Sequence, residues 1–407
     1  MIKKIPYLLI LLLTSCLSTE TADPYSDSLN ELSISVVYTG EMEEYIREGI
    51  EIDITDRNLN SSFSAKTDSE GKATLSLPNG SYRVTVSDQI DGETYNASSD
   101  KVILSGAAKE LTLYMSYAKS GELLLKEIYF GGCSAYPEQG NYIGDAYLII
   151  HNNSTETQYL DSLCFGTLDP YNSTGTNVWT TTDEETGETT FQDYVPIIQA
   201  LWQFPGSGED FPLEPGEDAV LVIYGAVDHT QTYPNSVNLN QEGYFVLYNT
   251  TYFWNTKYHP APGTNISQDR YLNVVIKTGQ ANAYTFSVTS PATVIFKTPS
   301  GTTIQDFVAD SDNVIQKPGS SVDRVVCVPV DWIMDGAEVF VKNGANTKRM
   351  PTEIDAGSID FSGSYQGHTV MRYVDEDATA ARGYEVLVDS NNSATDFYET
   401  EIQSLHE

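Results

Sequence analysis

Few side chains in this sequence are spaced for chemistry. The five histidines, His151, His229, His259, His368 and His406, are scattered, and no two stand at metal-ligand spacing. Asp228-His229 is the most suggestive of them, because it follows the strand-like run Ala219 to Tyr224 at a loop where a site could sit; a lone loop histidine is more often structural. No serine occupies a Gly-X-Ser-X-Gly elbow. Asp and Glu number 57 against 22 Lys and Arg, so a glycosidase carboxylate pair has ample material but no marked position. Asp310-Ser-Asp-Asn313 and Asp375-Glu-Asp377 gather the hard oxygen ligands that calcium takes. Neither has the Gly and closing Glu of an EF-hand loop, so solvated acidic loops are the favoured reading and calcium the alternative. Aromatic side chains offer another chemistry. Trp179, Trp202, Tyr252, Phe253, Trp254 and Tyr258 could present flat faces to sugar rings, although most aromatics in a β-sandwich belong to its core. Among them, Tyr252 to Tyr258, followed by His259-Pro-Ala-Pro-Gly263, is the favoured recognition segment, since a loop this rich in aromatics suits a binding surface.

The thiols divide into one and three. Lys3 and Lys4, the apolar run Ile5 to Leu13 and the small residues before Cys16 describe a signal peptide over residues 1–15, too short to span a bilayer, which takes about 20 apolar residues. Leu13-Thr-Ser-Cys16 resembles the bacterial lipobox, which implies that the Cys16 thiol takes the lipid and anchors the mature chain in a membrane. Residues 16–28 are polar and acidic, without periodicity, and suit a flexible leash. Cys133, Cys164 and Cys327 remain. A disulfide between Cys133 and Cys164 fits an oxidising compartment, and three buried free thiols are the equal alternative. No zinc pattern is present, and no metal is expected.

These residues need a scaffold, and the scaffold reads as all-β. A net charge of −35 excludes nucleic acid as a partner by long-range repulsion and suits a cell-envelope protein. Residues 29–118 hold seven short alternating runs: Leu32 to Tyr38, Ile50 to Thr55, Phe63 to Thr67, Ala73 to Leu77, Tyr82 to Val86, Val102 to Leu104 and Leu111 to Tyr117. Within them, Thr67-Asp-Ser-Glu-Gly71 followed by Gly80-Ser-Tyr-Arg-Val84 resembles the transthyretin-like or carboxypeptidase-regulatory-like sandwich, which implies a spacer module. Lys119-Ser-Gly121 reads as a boundary, and residues 121–400 as a second sandwich with long insertions. Tyr194 to Phe204 suggests a short helix starting at Pro196, and Val330 to Gly336 a helical turn closed by Gly336.

The second region also carries a resemblance. Leu124-Leu-Lys-Glu-Ile-Tyr129, Ile149-Ile-His-Asn-Asn-Ser154, Leu213-Glu-Pro-Gly216 before Ala219 to Tyr224, then Arg372 and Asp389-Ser-Asn-Asn-Ser-Ala-Thr-Asp-Phe397, are similar in order to lamin-tail-type domains. That likeness implies an immunoglobulin-like β-sandwich. The whole pattern resembles a family of Bacteroidota lipoproteins of unknown function. It implies an outer-membrane protein, facing the periplasm or the cell surface, that accompanies a TonB-dependent transporter or binds its ligand. The leading expectation is therefore a non-enzymatic binding or accessory module for a glycan, another small ligand or the transporter. The alternatives are a surface adhesin or structural stalk, and then a tethered glycan or peptide hydrolase.

Overall fold

The computed structural model describes residues 29–59, 61–90, 93–118, 120–182 and 189–406. The expected signal peptide, Cys16 and the leash up to residue 28 lie outside them. Among the described residues, no helix is long and apolar enough to cross a membrane.

The first seven strands are β1 (Asn30–Tyr38), β2 (Glu51–Asp56), β3 (Ser62–Lys66), β4 (Lys72–Leu77), β5 (Gly80–Ile90), β6 (Glu93–Leu104) and β7 (Lys109–Ala118). They pair in the order β3-β2-β5-β6-β7-β1-β4, with β1 parallel to β7. The sheet curls until β3 approaches β4, enclosing Leu32, Ile34, Ile52, Tyr82, Val84 and Met115. Along β1 every second side chain is buried, as expected of a sheet with one wet face. The Asp68 turn closes because its Oδ1 accepts from the amides of Glu70 and Lys72 while Gly71 adopts a φ of +72°.

From Leu123 two further sheets face each other. Their strands are β8 (Leu123–Tyr129), β9 (Tyr147–Asn152), β10 (Cys164–Leu168), β11 (Tyr194–Gln203), β12 (Asp218–Val222), β13 (Phe245–Val246), β14 (Asn273–Lys277), β15 (Ala292–Phe296), β16 (Val314–Gln316), β17 (Arg324–Pro329), β18 (Ile333–Val341), β19 (Ile359–Phe361), β20 (Thr369–Arg372) and β21 (Phe397–Thr400). One sheet runs β13-β12-β9-β8-β20-β21, and the other β16-β17-β11-β10-β15-β18-β19 with β14 added against β11. Between them lies the main core of Leu125, Leu148, Phe165, Trp202, Phe245 and Val339. Both outer faces are covered as well: Tyr147, Val220, Val222, Val237 and Leu239 pack on one, and Val195, Ile197, Val326, Met350 and Ile354 on the other. The chain is all-β, built as β-sandwiches.

Three expectations change. Tyr194 to Gln203 is a strand, not a helix: Pro196 sits opposite Cys327 in the ladder with β17, and the chain bends instead at Gln199, which has a φ of +63°. Val330–Trp332 is a 3₁₀ turn, but Gly336 lies inside β18 and closes nothing; a Cβ there would meet Ile354 Cγ2 at 2.8 Å. No disulfide joins Cys133 to Cys164. The Cys133 thiol turns to the Asp145 carboxylate at 3.7 Å, whereas Cys164 packs in the outer cluster with Leu168 and Ile197, so their sulfurs serve different cores. All three thiols, Cys327 included, are buried, and burial pushes Cys133 up to about 12 and Cys327 up to about 11.

The two regions dock through side chains. Arg83 donates to Ser358 Oγ at 2.6 Å and stacks on Phe340, and buried Asn96 donates to the Ser390 carbonyl at 2.6 Å.

Candidate functional site

Asn152, Gly216 and Arg372 are structural pins. Asn152 at the end of β9 donates to the carbonyls of Glu156 and Leu213 and accepts from the Ser154 amide, closing the turn. Gly216, at a φ of +81°, gives its amide to the Asn152 carbonyl. Arg372 is fully buried, with Asp335 at 2.8 Å, Asp389 and Asp396 each at 3.3 Å, and the Leu125 carbonyl accepting from its Nε at 3.0 Å. Burial opposes the guanidinium charge, but these three carboxylates more than offset it and raise its pKa. A second interior network joins Lys348 to Glu338 at 2.5 Å and Arg349 to Glu338 at 3.2 Å.

The histidines are likewise taken. His229 is buried; its Nε2 donates to the Gly225 carbonyl, and its Nδ1 therefore accepts from Tyr142 Oη at 2.6 Å. Burial lowers its pKa to about 4. Asp228 is the N-cap of the 3₁₀ turn His229–Gln231, so the pair is a cap and a buried anchor. His259 Nε2 lies 3.1 Å from both the amide and the carbonyl of Tyr284. His151 sits with Asp218 and Glu385, the one grouping of metal-ligand atoms among the described residues, but the Lys126 ammonium bonds to both carboxylates and supplies the positive charge there. Ser362, His368 and Glu399 converge like a triad. Both Ser362 Oγ, at 3.4 Å, and Glu399 Oε1, at 2.6 Å, contact the same ring nitrogen, Nδ1, and Ser362 donates to Glu399, so no proton relay runs through the ring. The two acidic loops cap helices: Asp310 ends the helix Ile304–Ala309, and Asp375 begins the helix Glu376–Arg382 by accepting from the Ala378 amide.

The aromatic segment divides its side chains between core and solvent. Phe253 and His259 are each 1% exposed; Phe253 stacks on Trp202 and on His259. Tyr252, Trp254 and Tyr258 are 40%, 64% and 47% exposed. Its backbone is tied down: Asn249 caps the amides of Thr251 and Tyr252, Asn255 bonds to Asn282 by main chain and side chain, and Lys277 Nζ bonds to the Tyr252 carbonyl at 3.1 Å. Trp179 belongs elsewhere. It packs under Val325 and Cys327, and its Nε1 donates to Asp169 at 2.8 Å, which removes it from any sugar-stacking role. Its apolar partners Val325 and Cys327 lie far along the chain, so no local pattern marks Trp179 as buried.

Residues 214–404, just under half of the chain, match the family described as "Protein of unknown function (DUF4876)". That stretch runs from the Glu214 turn through the Arg372 network to Ser404. The crystal structure of a DUF4876 family protein from Bacteroides thetaiotaomicron VPI-5482 is similar in fold, with a TM-score of 0.56 at 24% identity, covering 91% of this chain and 94% of that one. The Bacillus anthracis TIE protein (TM-score 0.17, 15% identity, 47% of this chain and 48% of that one) and a DUF3823 family protein from Parabacteroides merdae ATCC 43184 (0.16, 13%, 43% and 88%) are more remote. No curated protein matches the chain. The family match and the Bacteroides structure agree with the resemblance to a Bacteroidota family of unknown function.

Proposed function

We propose that this protein is an exported binding module, lipid-anchored through Cys16 in the outer membrane, that recognises its ligand through Tyr252, Trp254 and Tyr258. One observation carries the reading: the segment fastens itself to the core with Phe253 and His259 and turns its other three rings outward. Packing does not require that exposure, because Phe253 already fills the space beside Trp202. Three large exposed rings within seven residues concentrate apolar surface in one segment of an otherwise strongly acidic protein, and exposed apolar surface of this kind marks binding sites. A non-catalytic role is supported by the partners of His151, His229 and His259 and by the contact geometry of Ser362 and His368.

The test is a triple variant, Tyr252→Ala, Trp254→Ala and Tyr258→Ala, compared with wild type on glycan and matrix-protein arrays. Loss of the bound spots with an unchanged melting temperature is the expected result; retention of every spot would sink the proposal. Deleting the whole segment is a poorer test, because it also removes Phe253 and His259 from the core. The resemblance adds a partner, a TonB-dependent transporter, and a tagged lipoprotein drawn from solubilised outer membranes should bring one β-barrel with it in near-equal amount.

A further inference from the structure

Beside the aromatic segment lies a cleft of about 370 Å³, within the range of small-ligand pockets. The two share one piece of chain. Lys277 holds the Tyr252 carbonyl and Asn282 holds Asn255, and three of the four residues between them, Gly279, Gln280 and Ala281, form a wall of the cleft. Ala281 is next to Asn282 and Gly279 is two residues from Lys277, so the anchors of the aromatic segment lie within about 7 Å of the cleft wall along the chain.

The adjoining part of the wall is built at a backbone cost. Gln199 interrupts β11 with its φ of +63°, a conformation that costs a non-glycine residue on the order of 1 kcal/mol. Its carbonyl accepts from the amides of Thr278 and Gly279, and its side chain brackets Thr285, donating to the carbonyl at 2.8 Å and accepting from the amide at 3.1 Å. Behind this wall, Thr278 is 4% exposed and its Oγ1 has no partner among the described residues. Deeper in, Asp169 is buried and accepts from Trp179 on one oxygen and from Lys317 Nζ, at 2.6 Å, on the other. Tyr171, Ile198, Val325 and the charged side chains of Asp323 and Arg324 complete the lining.

We infer that this cleft is the specificity subsite for a neutral glycan whose chain lies across Tyr252, Trp254 and Tyr258. The inference rests on the binding reading above and deepens it. The Lys317 ammonium and the Asp169 carboxylate set a donor and an acceptor side by side, the arrangement that two adjacent sugar hydroxyls can bridge. The exposed rings outside suit the C–H faces of pyranose rings. A net charge of −35 repels polyanionic glycans, and the acids Asp169 and Asp323 balance the bases Lys317 and Arg324 in the cleft, leaving no net charge with which to attract them.

Affinity electrophoresis of the full mature chain through gels containing starch, α-mannan, xylan or, as the anionic comparison, heparin tests this. Two variants accompany the wild type: Trp254→Ala, and Ala281→Trp, which places a large ring at an exposed position on the cleft rim; melting curves check that both fold. The inference expects retardation by at least one neutral polysaccharide and not by heparin, with a loss of about tenfold or more in affinity for each variant. If Trp254→Ala loses binding while Ala281→Trp binds as wild type, the cleft is no subsite and the aromatic reading survives. If no neutral polysaccharide retards the wild type, or Trp254→Ala changes nothing, the aromatic reading fails and takes the cleft with it. Retardation by heparin alone would overturn the neutral class.

Discussion

β1 and β9 each lie inside a sheet, yet they are buried in different ways. β1 hides every second side chain, from Asn30 through Leu32, Ile34 and Val36 to Tyr38, and wets the rest. β9 hides all six residues, Tyr147 to Asn152, because the chain near Val237, Leu239 and Ile266 packs over its outer face. The first region spends its connections on tight turns such as Asp68 to Gly71, whereas the second spends them on covering both sheets. A covering loop has an inner side committed to packing and an outer side free for other work. The segment with Phe253 inside and Trp254 outside shows that division at single-residue spacing.

The contrast can be broken most forcefully at Arg372. Arg372→Ala leaves Asp335, Asp389 and Asp396 buried without their cation, and should cost about 3–5 kcal/mol. Chemical denaturation should show this loss in the second region's transition; an unchanged transition would mean that the buried network does not hold the covered sandwich together.

His229 gives the next effect, through pH. Its folded pKa of about 4 lies below the ordinary 6.5, so the unfolded chain binds a proton that the native one refuses. That contribution is fully present above pH 6.5 and fades as the pH falls towards 4, amounting to about 3 kcal/mol. Asp145 acts in the opposite sense. Burial raises its carboxyl to about 6, so its contribution is present below 3.8 and is lost as the pH rises through 6. His229→Gln removes the His229 contribution and leaves the Asp145 trend in place, so the stability difference from wild type should move in the variant's favour by about 3 kcal/mol between pH 7 and pH 4, as urea melts at the two values would read. A difference that does not change with pH would show that His229 is not buried neutral.

Smaller changes sharpen the comparison. Ile34→Val trims the first core and should cost about 1 kcal/mol. If the docking by Arg83 and Asn96 couples the two regions, both transitions will shift; if not, only the first will. Trp254→Ala should leave stability within about 0.5 kcal/mol of wild type, since its ring is mostly in solvent. A larger loss would make the ring part of the fold and weaken its claim to recognition.

The same contrast explains what the sequence made legible. Alternation in the first region marks seven strands, because period two is unambiguous when one face is wet, although the runs Tyr82 to Val86 and Val102 to Leu104 catch only part of the long strands β5 and β6. In the second, doubly covered strands lose that period. Tyr194 to Gln203 therefore resembles a buried helix, and the left-handed Gln199 that decides the matter leaves no local trace. Gly336 looked like a helix stop because the neighbour that requires a glycine, Ile354, is a tertiary one. Tyr252 to His259 was legible as a whole and illegible in detail: composition singled out the segment, but which rings turn inward depends on Trp202 and Tyr284, distant in sequence. The cleft walls could not be foreseen, since Asp169, Gln199 and Lys317 meet only when three strands come together.

The parallel pairing of β1 with β7 has a mechanical consequence. Load entering the chain ahead of Asn30 and leaving it after Ala118 would pull these two strands in opposite directions along their length. The ladder from Leu32–Lys109 to Tyr38–Met115 would then be strained in shear, all of its hydrogen bonds at once, where a hairpin pulled at its open end would unzip one bond at a time. The first region is thus built to resist a pull along its strands all at once instead of opening bond by bond.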